Sequence, residues 1–131
     1  MGEVHLDTDI LIELIEKYNL DTIEDIMATY DLKISSIVYY EFCIGAYRTN
    51  KLYLKDIIDR YIDVVPFTKE IAEKTAQIQA KLLMEGTAID HRDIIIGTTA
   101  ISSGAKLRTK NLKHFQKLTN HGLKLFRPIK Y

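Results

Sequence analysis

Two aspartates, far apart in the sequence, occupy positions where a surface role does not fully explain them. Asp7 directly follows the short apolar run at residues 4–6, and Asp93 directly precedes three consecutive isoleucines. Both also suit the starts of helices, where a carboxylate accepts hydrogen bonds from free backbone N–H groups. Helix capping and chemistry therefore both stay open as roles for these two residues.

Glu41 is harder to explain as a surface residue. It is the only charged side chain between residues 36 and 47, and helical spacing puts it on one face with Ile37 and Ile44. A carboxylate within an apolar stripe costs free energy unless it is paired or bound to a cation. An ordinary salt bridge and a cation site are both consistent with this pattern.

Taken together, the three acids favour a divalent cation as their common partner. Carboxylates at close range repel one another unless a cation offsets their charge, and ligands made only of oxygen suit Mg²⁺ or Mn²⁺. The four histidines are dispersed and there is one cysteine, so the sequence shows no zinc spacing. It also lacks the P-loop, dinucleotide-binding and serine-hydrolase motifs, which argues against those classes of enzyme.

The hydrophobic pattern predicts how these acids are positioned. Short apolar runs alternate with amphipathic segments, which indicates an α/β fold with a mainly parallel sheet covered by helices on both faces. Ligands of such sheets bind beyond the carboxyl ends of the strands. We predict strands at residues 4–6, 32–34, 62–65, 105–108 and 123–126. We predict helices at residues 8–17, 21–29, from Ser35 or Ser36 to residue 47, 52–61, 68–84, 90–103 and 113–118, with Gly86 and Gly104 ending two of them.

Composition agrees with a folded protein that is not embedded in a membrane. The chain has 131 residues, of which 47% are hydrophobic and 27% are charged, and we expect one domain spanning residues 1–131. No apolar run reaches the roughly 20 residues of a membrane span. The first residues do not resemble a signal peptide. With Cys43 as the single cysteine, these features predict a cytoplasmic protein.

The net charge of zero hides an asymmetry along the chain. Residues 94–131 contain eight Lys or Arg and no Asp or Glu; they carry +8, and since the total is zero, residues 1–93 carry −8. A basic stretch without acids is typical of proteins with a phosphate-bearing partner. The alternative is a basic surface that balances an acidic one within the same fold.

Four segments together resemble the PIN domain of the VapC toxin family. They are residues 6–12 (LDTDILI), 34–41 (ISSIVYYE) with Gly45 four residues on, 89–100 (IDHRDIIIGTTA) and 107–115 (LRTKNLKHF). Their order and spacing match the family over nearly the whole chain. The resemblance implies a PIN-like three-layer α/β/α sandwich with a mainly parallel five-stranded sheet.

The resemblance also implies an activity and a site. It implies a Mg²⁺-dependent endoribonuclease, the toxin of a type II toxin–antitoxin pair, which cuts single-stranded or structured RNA. Such a protein forms a homodimer and binds an antitoxin whose tail occupies the active-site groove. Asp7, Glu41 and Asp93 would form the acidic metal site for Mg²⁺ or Mn²⁺, and the family's fourth acidic position falls on Asn111, which is neutral.

On this basis we assign expected roles. Asp7 and Asp93 bind the cation, directly or through water, and Glu41 assists and accepts the proton of the attacking water. We expect Asn111 to belong to the catalytic group, because its side-chain carbonyl adds a further oxygen at a strand end. The other expected contributors are Thr8, Ser36 and Thr109, which orient carboxylates or phosphate oxygens through their hydroxyls, and Lys110, which contacts the RNA backbone. Asp9 and Asp90 are nearby acids to which we assign no catalytic role.

Two other classes of protein stay open at this point. A non-catalytic module of the same fold that binds RNA or protein is favoured by the neutral Asn111. A phosphoacceptor signalling domain also carries acids at strand ends. That class requires paired acids after the first strand and a later Asp at a strand end, which Glu41 and Asp93 fit poorly.

Overall fold

The computed structural model of the chain describes residues 2–17 and 19–127, and its strands form one parallel sheet. The strands are β1 (Glu3–Leu6), β2 (Asp31–Ser35), β3 (Asp63–Val65), β4 (Lys106–Arg108) and β5 (Lys124–Leu125). Their order across the sheet is β3-β2-β1-β4-β5, and each neighbouring pair is parallel. The predicted five-stranded sheet is therefore confirmed.

The helices connect the parallel strands and follow the predicted segments closely. They are α1 (Thr8–Lys17), α2 (Leu20–Thr29), α3 (Ser36–Arg48), α4 (Leu52–Tyr61), α5 (Lys69–Met84), α6 (His91–Ser103) and α7 (Leu112–Phe115), followed by a 3₁₀ helix (Gln116–His121). Several of them begin at a side-chain cap. The hydroxyl of Ser35 accepts a hydrogen bond from a backbone N–H in the first turn of α3, and the hydroxyl of Thr68 does the same for α5. Within the described residues, no helix is long and apolar enough to cross a membrane.

The central strand β1 is covered on both faces. Successive side chains of a strand point to opposite faces, so that Val4 and Leu6 lie on one face and His5 on the other. All three are nearly inaccessible, at 4%, 3% and 1% exposure respectively. A strand buried on both faces is what the three-layer arrangement requires.

The main differences from the predicted elements lie at their ends. Thr68 and Asp90 are helix caps, so α5 and α6 begin one residue later than predicted. The predicted helix at residues 113–118 is instead the short α7 followed by the 3₁₀ helix. The last strand is two residues long, because the N–H of Leu123 is taken by the carbonyl of Leu118 at the end of the 3₁₀ helix.

Gly97 allows the 3₁₀ helix to approach α6 closely. A Cβ at this position would overlap the side chain of Leu118 and lie 3.7 Å from Phe115 Cδ1. Both neighbours are fully buried, so neither has free space into which to move. The segment that follows Thr109 and Asn111 is therefore held against α6 by a contact that requires glycine.

We expect Gly97→Ala to lower the free energy of unfolding by roughly 1–3 kcal/mol, because it overpacks a filled interior. Gly45→Ala is the matched control: Gly45 is exposed in the interior of α3, and a Cβ there meets nothing within 4 Å. The control is expected to be neutral or to stabilise by up to about 1 kcal/mol, since alanine favours helix. Urea unfolding followed by circular dichroism measures both, and equal effects would contradict the packing argument.

Candidate carboxylate site

Asp7 lies at the carboxyl end of the central strand, where β1 passes into α1. Its backbone N–H donates to the carbonyl of Arg108 at the end of the neighbouring β4, at 3.0 Å. The residue is 1% exposed, so its carboxylate is almost removed from water. A buried carboxylate must be satisfied by donors or by a cation, and its surroundings therefore determine its role.

Two threonines fix the orientation of the Asp7 carboxylate. Thr109 Oγ1 donates to Asp7 Oδ2 at 2.7 Å, and the backbone N–H of Thr8 donates to Asp7 Oδ1 at 2.7 Å. Thr109 follows β4, and its hydroxyl also accepts the backbone N–H of Asn111 at 3.0 Å. The loops after β1 and β4 are thus joined through one carboxylate, as expected at the ends of neighbouring parallel strands.

Glu41 reaches the same place from α3. Its Oε1 accepts a hydrogen bond from Thr8 Oγ1 at 2.6 Å. The expected apolar stripe of Ile37, Glu41 and Ile44 is wrong in part, because Ile44 is 47% exposed. The buried face of α3 is formed by Val38, Phe42 and Ala46, and Glu41 lies beside that face, with its side chain 28% exposed.

Asp93 lies in the first turn of α6 without capping the helix. The cap is Asp90, whose Oδ1 accepts the backbone N–H of Arg92 at 2.9 Å. Asp93 is buried, with 7% of the residue exposed. His114 Nδ1 lies 3.5 Å from Asp93 Oδ2. Of the two roles left open by the sequence, capping falls to Asp90, and the Asp93 carboxylate is free to face the site.

One guanidinium, that of Arg92, joins the three carboxylates. Its Nη2 contacts Asp7 Oδ1 at 2.7 Å, its Nε contacts Glu41 Oε2 at 2.6 Å, and its Nη1 contacts Asp93 Oδ1 at 2.9 Å. Burial alone would lower the pKa of Arg92, but the hydrogen bonds and negative charges of Glu41 and Asp7 outweigh burial and raise that pKa above its ordinary value. The predicted convergence of three distant carboxylates is therefore seen, with a cation among them.

Sequence reasoning assigned no role to Arg92. The signal was present, since Arg92 is a cation between Asp90 and Asp93 in a segment singled out for its acids. Which way its side chain points depends on the rotation of α6 relative to β1, and a single sequence does not provide that. His114 was missed for the same reason.

The donor set of the site fits a hard divalent cation. All three acidic side chains offer oxygen, the ligand type of Mg²⁺ and Mn²⁺. One guanidinium against three carboxylates leaves an excess of two formal negative charges. In residues 2–17 and 19–127 no three acidic, histidine or cysteine side chains are placed to hold a metal ion together, and each of the three carboxylates contacts Arg92 instead.

The remaining sequence-predicted residues fall into two groups. Thr8 and Thr109 touch the carboxylates directly. Asn111 is adjacent through its backbone, and within the described part of the chain its side-chain amide makes no hydrogen bond to the three carboxylates. Ser36 lies elsewhere: its hydroxyl donates to the carbonyl of Val65 and accepts the N–H of Phe67, which ties α3 to the end of β3.

Lys110 lies at the edge of the site rather than among the three carboxylates. Its Nζ contacts Glu13 Oε2 at 2.6 Å, and its side chain is 56% exposed. The hydrogen bond and charge of Glu13 raise the pKa of Lys110, and the same contact lowers the pKa of Glu13. This pair links α1 to the loop after β4. Asp9 is exposed, and its negative charge also contributes to raising the pKa of Lys110, but it contacts none of the three carboxylates or Arg92.

The chain is similar to known proteins over most of its length. The PIN domain family model matches residues 4–119. Ribonuclease VapC1 of Methanocaldococcus jannaschii is 30% identical over 125 residues, covering 95% of this chain and 88% of that protein. The tRNA(fMet)-specific endonuclease VapC of Salmonella typhimurium is 30% identical over 108 residues, covering 79% and 76% respectively.

A solved structure shows the same architecture. The crystal structure of VapBC2 from Rickettsia felis, bound to a DNA fragment from their promoter, matches with a TM-score of 0.78 and 25% identity, covering 95% of this chain and 97% of that chain. These similarities extend over nearly the whole length of the protein. The chain therefore belongs to the PIN-domain family, within its VapC branch.

Proposed function

We propose that this protein is a Mg²⁺-dependent endoribonuclease and the toxin of a type II toxin–antitoxin pair. The observation that carries the proposal is the convergence of Asp7, Glu41 and Asp93 from three different elements onto one cationic centre. The relatives named as a ribonuclease and as a tRNA-specific endonuclease support RNA as the substrate class. Mn²⁺ has the same ligand preference and is expected to substitute for Mg²⁺.

The chain's own residues prepare the site for phosphodiester hydrolysis. Thr8 and Thr109 hold the Asp7 carboxylate in one rotation, which reduces the reorganisation needed when a cation binds. A bound Mg²⁺ supplies a water of lowered pKa and offsets charge on the scissile phosphate. Glu41 is the proposed proton acceptor. Its Oε1 is fixed by Thr8, and its Oε2 faces the centre of the cluster, where the attacking water must lose a proton.

The basic C-terminal stretch is the proposed RNA-binding surface. Among its described residues, Lys106, Lys113, Lys124 and Arg127 have exposed side chains, and Lys110 lies at the edge of the carboxylate site. Phosphates attracted to this surface would be brought to the carboxylates at the ends of β1 and β4. Asn111 stays a proposed catalytic residue and Ser36 a proposed orienting residue for phosphate oxygens, although among the described residues neither side chain forms a hydrogen bond to the three carboxylates.

Two protein partners belong to the proposal. The first is an antitoxin, as supported by the similarity to a VapBC assembly bound to promoter DNA. The second is another copy of this chain. Tyr40, Ile44 and Tyr47 lie at helical spacing along α3 and are 60%, 47% and 63% exposed. Tyr39, by contrast, donates a hydrogen bond from its hydroxyl to Asp59 Oδ1 at 2.7 Å. Exposed apolar and aromatic residues that lie together on one face of a helix are typical of an association surface.

The central test is cleavage by Asp7→Asn. Losing this carboxylate removes a proposed cation ligand while keeping the shape of the side chain, and we expect Mg²⁺-dependent RNA cleavage to fall by at least about a thousandfold, on the order of a main catalytic group. The measurement is gel-resolved cleavage of a pool of small RNAs with and without Mg²⁺. Circular dichroism checks that the variant is folded.

Asp9→Asn is the matched control, since Asp9 is an exposed acid two residues away and outside the cluster. It is expected to cut at close to the wild-type rate. Cleavage by Asp7→Asn at the wild-type rate would show that the carboxylate site does not perform the reaction. No cleavage by the wild type, with RNA still bound, would favour the non-catalytic module.

A second prediction concerns Lys110→Ala. We expect weaker RNA binding and a slope of log K against log salt that is smaller by about 0.7–1, because one phosphate contact is lost. Fluorescence anisotropy with labelled RNA at several salt concentrations, with EDTA present to prevent cleavage, measures the slope. Lys51→Ala, which removes an exposed cation at the start of α4, is the control. An unchanged slope in Lys110→Ala would remove this residue from the RNA path.

A third prediction tests self-association. Ile44→Glu places a charge in the exposed stripe of α3, and we expect it to convert the homodimer into a monomer of 15.1 kDa. Light scattering coupled to size exclusion gives the mass. Leu83→Glu alters an apolar residue on α5 that is 62% exposed, against 47% for Ile44, and is expected to leave the dimer intact. A monomeric wild type would overturn the dimer proposal.

A further inference from the structure

We infer that Arg92 is a built-in cation that holds the three carboxylates together in the metal-free protein and must leave them for the divalent metal to bind. The inference rests on the proposed metal-dependent function and adds to it a residue that competes with the metal. Arg92 is in this sense a positioning residue, acting on the carboxylates rather than on the substrate.

The contacts of Arg92 cover the oxygens that a metal requires. Each of its three guanidinium nitrogens contacts a different carboxylate, at 2.6–2.9 Å. Its Nη2 also donates to Thr8 Oγ1 at 3.0 Å. Asp7 Oδ1 and Asp93 Oδ1 both face the guanidinium, so a cation bound by these oxygens would occupy the same space. Arginine and metal cannot be held there together.

The shape of the cluster fits the guanidinium rather than a small ion. A guanidinium is planar and presents its N–H groups as a broad fork, whereas Mg²⁺ requires oxygens about 2.0–2.1 Å from one point. In the described part of the chain no three acidic, histidine or cysteine side chains are placed to hold a metal ion, whereas each of the three carboxylates contacts a different guanidinium nitrogen. Withdrawal of Arg92 would leave mutually repelling carboxylates that attract a smaller and more highly charged cation.

Arg92 is free to withdraw without unfolding the helix that carries it. Its side chain is 28% exposed, whereas that of Asp7 is 2% exposed, so the guanidinium approaches the buried carboxylate from the solvent side. The backbone at Arg92 is held independently, because its N–H is bound by the cap Asp90. The guanidinium can therefore turn toward solvent by rotation of the side chain alone, once a metal competes for its three ion pairs.

The competition predicts an effect opposite to that of a purely structural residue. If Arg92 only supported the fold, removing it would loosen the carboxylates and weaken metal binding. Because it occupies the site, Arg92→Gln is expected to bind Mn²⁺ about tenfold more tightly than the wild type, a typical size for coupling between two competing states. The same variant is expected to be less stable than the wild type in EDTA and to gain more stability on adding Mn²⁺.

The experiment measures Mn²⁺ affinity from the electron paramagnetic resonance signal of the free ion. Wild type, Arg92→Gln, Asp7→Asn and Lys110→Gln are compared at one ionic strength. Lys110→Gln is the matched control for charge, because it removes a nearby cation that contacts Glu13 and none of the three carboxylates. Its effect on Mn²⁺ affinity is expected to be less than about threefold, which measures the general influence of one charge.

A second measurement uses the wild type alone and holds even if Arg92→Gln does not fold. In the metal-free protein the Nε–H of Arg92 is hydrogen-bonded to Glu41. We expect this proton to exchange slowly with water and to give a resolved signal in a ¹H–¹⁵N NMR spectrum. Adding Mg²⁺ is expected to move this signal to the position of solvent-exposed arginines. Arg92→Lys keeps the positive charge but loses the planar set of N–H donors of the guanidinium. Its Mn²⁺ affinity is expected to lie between that of the wild type and that of Arg92→Gln, which gives an independent comparison.

The outcomes separate this inference from the proposed function. Tighter Mn²⁺ binding by Arg92→Gln together with movement of the Nε–H signal supports the competition. If the wild type binds Mn²⁺ through Asp7 but Arg92→Gln binds it equally or more weakly, or the signal stays in place at saturation, Arg92 does not compete and the metal site still stands. Absence of Mn²⁺ binding in every variant would overturn both.

Discussion

The structure depends on neutralising carboxylates that the fold brings together out of water. Asp7 is 1% exposed and Asp93 7% exposed, and a carboxylate removed from water to this degree costs free energy unless it has partners. The Thr109 hydroxyl, the backbone N–H of Thr8 and the Arg92 guanidinium supply those partners. Because one positive charge faces three negative ones, the balance is incomplete, and a cation of higher charge density is the natural ligand of the cluster.

The sheet order explains why this cluster forms where it does. The order β3-β2-β1-β4-β5 places β1 between β2 and β4, so the connections leaving β1 and those arriving at β4 run to opposite sides. Crevices in open parallel sheets lie at such a reversal, beyond the carboxyl ends of the strands. Asp7 and Thr109 are the residues that directly follow β1 and β4. Right-handed crossovers then place α3 and α6 near this crevice, and they contribute Glu41 and Asp93.

Features set by neighbouring residues were predictable from the sequence, whereas features set by side-chain direction across the fold were not. Asp7 follows a strand and Asp93 opens a helix, and both facts are visible in local patterns. The exposure of Ile44 was not, because α3 contains apolar residues around most of its circumference and periodicity does not choose the face. Ser36 was equally ambiguous, since Ser35 and Ser36 both suit a cap and only the turn of the chain gives that role to Ser35.

The charge distribution along the chain gives a cation in the cluster a second proposed role, in the approach of the substrate. In the proposed function, RNA phosphates attracted to the basic C-terminal stretch would approach three carboxylates, and like charges at short distance repel. A divalent cation would offset more of this repulsion than the one guanidinium that contacts the carboxylates, because its charge is twice as large. Under that proposal, metal binding and the approach of RNA would be coupled through electrostatics without any change of fold. The cation that completes the cluster would then affect binding of the substrate as well as its hydrolysis.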